Sequence, residues 1–197
     1  MNSQPIDTNS EGPPVRALSI YTACVSGIGM GVLFWAFSRI ALFWPEILPF
    51  LAFVILAELT VSTDFAPQII FSMSSIVNFA TLLFLGPVPA TLTAMVGGGV
   101  VTFTTEFIEK QRKRARAPVW QRALFNISVF GLSTFIAGIS YVCFGGKVGV
   151  VKQFSNSLPM ILAAVANGLL NAVLVIGAVA IQTRTSPLKI WKRNISW

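Results

Sequence analysis

Residues 158–181 read LPMILAAVANGLLNAVLVIGAVAI, twenty-four positions without a single charge. As a helix this run is about 36 Å long, enough to cross the roughly 30 Å hydrocarbon core of a bilayer. Its only strongly polar side chains, Asn167 and Asn171, stand one helical turn apart on a stripe with Ala163. Two carboxamides at such depth present donors and acceptors that lipid leaves unsatisfied, so the stripe is expected to face protein.

Five further apolar runs precede it, over 18–40, 47–61, 69–85, 88–107 and 124–144. The second and third are near the lower limit for a span, so each either crosses with little tilt or re-enters the face it left. Trp44-Pro45, Ala66-Pro67 and Gly86-Pro87 with Pro89 separate the runs, and proline starts helices more readily than it continues them. Almost no polar sequence lies between the third and fourth runs, which predicts a tight antiparallel hairpin turning at Gly86 and Pro87. The expected fold is all-α: a polytopic membrane bundle of about six helices with both termini in the cytoplasm.

Composition agrees. Of 197 residues, 54% are hydrophobic and 11% charged, and the mean hydropathy is +0.75. Soluble domains carry about a quarter charged residues, so a lipid surround is the simplest solvent for this chain. The net charge of +7 would suggest nucleic acid in a soluble protein. Here the basic residues gather at the ends of apolar runs, and no nucleic-acid partner is expected. With six spans, Arg16, Lys110, Arg112, Lys113, Arg114, Arg116, Arg122, Arg184, Lys189, Lys192 and Arg193 share one side, eleven of the fourteen basic residues. Arg39, Lys147 and Lys152 fall on the other. The positive-inside rule makes the richer side cytoplasmic. The loop over 110–122 would also attract anionic headgroups. Trp35, Trp44, Trp120, Trp191 and Trp197 stand near run ends, as interfacial anchors do.

The chain contains no histidine, which removes His-based triads, HExxH zinc chemistry and His-Asp phosphohydrolase centres. Cys24 and Cys143 lack metal or disulfide spacing and are expected to be reduced packing residues. No catalytic residue, metal site or cofactor is expected. The organisation expected is a polar, disordered cytoplasmic lead over 1–16, a bundle over 17–183 and a basic cytoplasmic tail over 184–197.

Polar residues inside the runs mark the candidate site. Glu58 lies in Leu56-Ala57-Glu58-Leu59-Thr60, and a carboxylate at depth needs a partner or a wet cavity. The competing reading places Glu58 at the interface, close to Asp64. Ser72, Ser75, Asn78 and Thr81 form a stripe on the third run, fit for interhelical bonding or for lining a cavity. Glu58, Ser75 and Asn78, with Asn167 and Asn171, could hold a small, weakly polar ligand. On the fourth run Ala90, Ala94, Gly98 and Thr102 recur every four residues, the small-xxx-small pattern of close helix packing. The partner across that face is either another helix of this chain, a second copy, or a membrane subunit. The glycine triplet at 97–99 is no phosphate cradle, since no Lys-Ser/Thr follows it.

Over residues 69–197 the chain resembles the amino-terminal membrane sensor region of bacterial HD-GYP and GGDEF proteins, the enzymes of cyclic di-GMP turnover. The carriers are the serine-bearing helix ending in Leu85-Gly86-Pro87, the small-residue helix after it, and Trp120 with Leu124-Phe125-Asn126. Leu158-Pro159 with Asn167 and Asn171 continues the pattern, as does Ser186-Pro187-Leu188 with Trp191-Lys192-Arg193-Asn194. The resemblance implies a non-enzymatic module for ligand sensing or anchoring, and the departure from it is the missing output domain. Length, span count and the Gly-Pro hairpin are also similar to the substrate-binding membrane subunit of energy-coupling-factor vitamin transporters. A structural subunit of a larger membrane complex is the third reading.

Overall fold

The computed structural model describes residues 15–40, 45–59, 74–110, 118–150 and 156–195. The expectations placed on the lead over 1–14, on Trp44, Asp64, Pro67, Ser72, Arg112, Lys113, Arg114, Arg116, Lys152 and Trp197 lie outside the described residues.

Among the described residues there are seven helices and no strand: α1 (Val15–Phe37), α2 (Ile47–Leu59), α3 (Ser74–Leu85), α4 (Pro87–Lys110), α5 (Val119–Cys143), α6 (Ser157–Thr183) and α7 (Pro187–Ile195). Four of them, α1, α4, α5 and α6, are long and apolar enough to cross a membrane. The thirteen residues of α2 and twelve of α3 give about 20 and 18 Å of helix, short of a full crossing.

The predicted hairpin is present. Gly86 adopts φ 94°, a left-handed conformation that suits glycine. Its N–H donates to the carbonyls of Thr81 and Leu82 at 3.2 and 3.0 Å, closing α3, and Pro87 opens α4, where a missing N–H costs nothing.

At the centre, α4 and α5 run antiparallel in close contact, and small residues decide how close. A Cβ on Gly98 would sit 2.8 Å from the Asn126 carbonyl oxygen, and one on Gly138 would sit 2.7 Å from Pro87 Cβ. A Cβ on Gly131 would collide with Met95. The Ala90, Ala94, Gly98 and Thr102 face is thus filled by α5 of the same chain. Thr102 ties the pair, accepting from Asn126 Nδ2 at 2.9 Å and donating to the Gly98 carbonyl at 2.8 Å.

α1 lies beside α5 with the same direction: Gly29 abuts Ser128, and Trp35 meets Phe135 edge-on at 5.3 Å between ring centroids. The Tyr21 hydroxyl donates to the Leu174 carbonyl at 2.9 Å, so the start of α1 lies level with the end of α6. Large apolar side chains such as Phe34, Phe103, Ile76 and Leu169 point outward while Thr91, Thr93, Ser128 and Ser133 are buried. That distribution suits a lipid exterior, because interhelical contact in lipid favours small and hydroxyl side chains. Cys24 and Cys143 are free, as expected, but both are exposed on outer faces and neither packs in the core.

The two ends of the bundle differ in charge. Gly149 N–H donates to the Leu83 carbonyl at 2.7 Å, so the loop after α5 shares an end with the Gly86 turn. Lys147 and Arg39 belong to that end. Arg16, Lys110, Arg122, Arg184, Lys189 and Lys192 belong to the other, where α1 and α5 begin and α4 and α6 finish. The segment expected as a basic tail over 184–197 holds a further helix, α7, opened by Ser186 and Pro187 in the manner of a helix start.

Candidate functional site

Ile47, at the start of α2, packs with Ala36 and Leu92 near the hairpin end. About two and three helical turns later, Val54 and Glu58 reach Gly97 of α4. A side chain at Gly97 would sit 3.1 Å from Val54 Cγ1 and 3.6 Å from both Glu58 Oε1 and Ser74 Oγ. The end of α2 and the start of α3 therefore meet α4 at one level. Along α4 that level is about 15 Å from Pro87 and about 20 Å from Lys110, close to mid-depth. From there α3 returns to the hairpin end. Glu58, 1% exposed, is buried.

Asn78, one turn beyond Ser74 on α3, is 4% exposed, and its Oδ1 has no hydrogen-bond partner among the described residues. Antiparallel register sets it level with Thr93 of α4. Ser133 of α5 stands two residues past Gly131, which packs on Met95, so it reaches the same level from the other flank of α4. Its Oγ is likewise buried without a partner among the described residues. Thr81 and Thr93 spend their hydroxyls locally, on the carbonyls of Val77 and Ala90. The polar stripe thus splits into groups satisfied within their own helix and groups held toward its neighbours.

Of the residues singled out by sequence, Glu58 and Asn78 are brought to the α4 side of the α2–α3 pair. Ser75 is half-buried; the serine that faces α4 is Ser74. Four-residue spacing from Asn78 selects Ser74, whereas three-residue spacing selected Ser75. Asn167 and Asn171 are half-buried on α6, which packs against α5 and α1, whereas α3 packs against α4 and α2. The two stripes thus belong to different helix pairs. α3 and α6 share only a cluster near the hairpin end, built on Leu82, Ala90, Ala137, Tyr141 and Ala163.

Two polar groupings were missed. At the hairpin end, Asn156 accepts from Lys147 N–H at 3.0 Å and donates to the carbonyls of Lys147 and Val150, while the buried Tyr141 hydroxyl donates to Lys147 at 3.0 Å. The turn glycines Gly145, Gly146 and Gly149 and the following asparagine were the legible signal. At the basic end, Arg122 pairs with Glu106 between α4 and α5. Topology had accounted for Arg122 as a charge, but not for its partner.

The family model for MASE9 matches residues 32–197, which is most of the chain. The chain belongs to the MASE9 family of membrane-associated sensor domains. No curated protein and no solved structure matches it. The MASE9 match starts within α1 and takes in every later helix. Multi-pass membrane association and a sensor-type role follow from that membership together with the four long apolar helices.

Proposed function

We propose that this MASE9 domain is the non-enzymatic receiving part of a bacterial inner-membrane signalling protein, of the kind that governs cyclic di-GMP turnover. Its stimulus is read where α2 and α3 meet α4, at Glu58, Ser74 and Asn78. The observation that carries the reading is a buried carboxylate at mid-depth, among side chains that are otherwise apolar or small. A carboxylate is costly at that depth, and a sensing or transport role is what offsets the cost. The glycine beneath it leaves room on α4 for the carboxylate, so a small shift of α2 or α3 is registered by the central α4–α5 pair.

The vitamin-transporter reading rested on length, span count and the Gly-Pro hairpin, and the structural-subunit reading on a small-residue face meeting another subunit. Within this chain α5 fills that face, and no observation favours either reading.

The test uses the full chain in lipid nanodiscs, melted across a panel of pH values, monovalent cations and small amphiphiles. At least one condition is expected to raise the Tm by roughly 5 °C, the size expected for a ligand well above its Kd. Glu58→Gln and Asn78→Leu should each lose that shift while keeping a cooperative melt. A shift retained in both variants, or lost instead in Asn167→Leu, overturns the assignment of the site.

A further inference from the structure

α6 ends at Arg184, which takes the left-handed conformation with φ 51°, and Thr185 N–H donates back to the Ala180 carbonyl at 3.1 Å. A left-handed residue with that backward bond is a standard helix stop, and an arginine there is unusual. The chain leaves the α6 axis and at once starts α7. α7 is sharply two-sided: Leu188, Ile190, Trp191 and Ile195 fall on one arc by helical spacing, and Lys189, Lys192 and Arg193 on the opposite one.

The two edges of the apolar arc are treated differently. Ile190 is 3% exposed, seated on the bundle where α7 packs against α6. Leu188, on the other edge, is 66% exposed, Trp191 between them is half-buried, and Lys189 and Lys192 are exposed. One edge is thus taken by protein and one is left bare, and the cationic arc begins beside the bare edge, with Lys192 next to Leu188 by helical spacing. α7 also sits at the end of the bundle where Arg16, Lys110 and Arg122 stand and where the long apolar helices finish.

We propose that α7 lies in the headgroup layer and binds anionic lipid, with Leu188 seated in the acyl boundary and Lys189 and Lys192 on the phosphates. A two-faced helix with basic residues on its polar arc has this geometry at a membrane surface. Its hold on the leaflet is set by headgroup charge, since each basic residue close to an anionic surface adds to binding. The occupant is lipid, because the long apolar helices finish at this end of the bundle and the exposed charge on α7 is all basic among the described residues.

The test keeps the full chain, with Cys24→Ser and Cys143→Ser, and adds Leu188→Cys as a reporter. The labelling rate with a water-soluble, uncharged maleimide is compared in nanodiscs of pure phosphatidylcholine and in nanodiscs containing one-third phosphatidylglycerol. Labelling is expected to be slower by about tenfold in the anionic discs. Raising the salt should erase that difference without any change to the protein, and Lys189→Gln with Lys192→Gln should erase it at low salt. Equal rates in the two discs at low salt overturn the proposal, whether both are fast or both are slow. So does protection that depends on protein concentration, which would assign the bare edge to a second copy.

Discussion

At the residue scale, the side chains that matter most are the smallest. Gly98 faces the α5 backbone at Asn126 and Ile127, a neighbour that cannot swing aside. Gly98→Ala is expected to cost about 1–3 kcal/mol, the usual range for overpacking against a rigid wall. Gly168, with nothing near its missing Cβ, is the control: Gly168→Ala should leave stability unchanged or raise it by up to about 1 kcal/mol. Melting of the two variants in the same detergent separates them, and equal destabilisation would mean that Gly98 is not at a helix crossing. The four-residue spacing of Ala90, Ala94, Gly98 and Thr102 made this face legible in advance. The identity of its partner was not, because spacing describes one helix and a crossing needs two. Asn126 was conspicuous only as part of a family pattern; its bond to Thr102 appears once α4 and α5 are set in register.

Among the elements, long apolar runs were the easiest to foresee and short ones the hardest. α1, α4, α5 and α6 follow from long, nearly uncharged runs bounded by proline, glycine or charge, and their counterparts in the structure differ only at the ends. α2 and α3 are both apolar and both short, and hydropathy does not say where in the bilayer a short helix stops. Contacts at Gly97 do, and they place Glu58 and Ser74 together. α7 escaped notice because nine mostly polar or mixed residues after a long span read as a tail, although Ser186-Pro187 is a helix start by its chemistry. The loop after α5 carries its own prediction. Asn156→Ala removes the acceptor for Lys147 N–H and two donated bonds in a buried setting, and is expected to cost about 2–4 kcal/mol. Tyr141→Phe loses one bond and should cost about 1 kcal/mol. Limited proteolysis across 145–150 should accelerate in Asn156→Ala well before the bundle melts; unchanged cleavage would show that the loop is held by Gly149 and Leu83 alone.

For the whole molecule, charge asymmetry and helix direction tell the same story. Arg16, Lys110, Arg122, Arg184, Lys189 and Lys192 gather at one end, with Arg39 and Lys147 at the other. By the positive-inside rule the first end is expected to be the cytoplasmic one. In a background of Cys24→Ser and Cys143→Ser, Lys147→Cys should react with an impermeant maleimide added outside intact cells. Gln182→Cys should react only after the membrane is opened. Labelling of both from outside would break the assignment of ends and, with it, the placement of α7 at the inner leaflet. The number of crossings was the least secure part of the sequence reading, because two of the six expected spans are helices of about 20 Å or less in their described extent.

The joint at Arg184 has a mechanical corollary. Since α7 departs from the α6 axis at a single left-handed residue, it stands to α6 as a crank arm stands to its shaft. An arm of nine residues is about 13 Å long, so turning α6 by about 20° would sweep the far tip through about 4–5 Å. A twist too small to disturb the packing of α6 on α5 and α1 becomes a sideways displacement on the scale of a lipid headgroup.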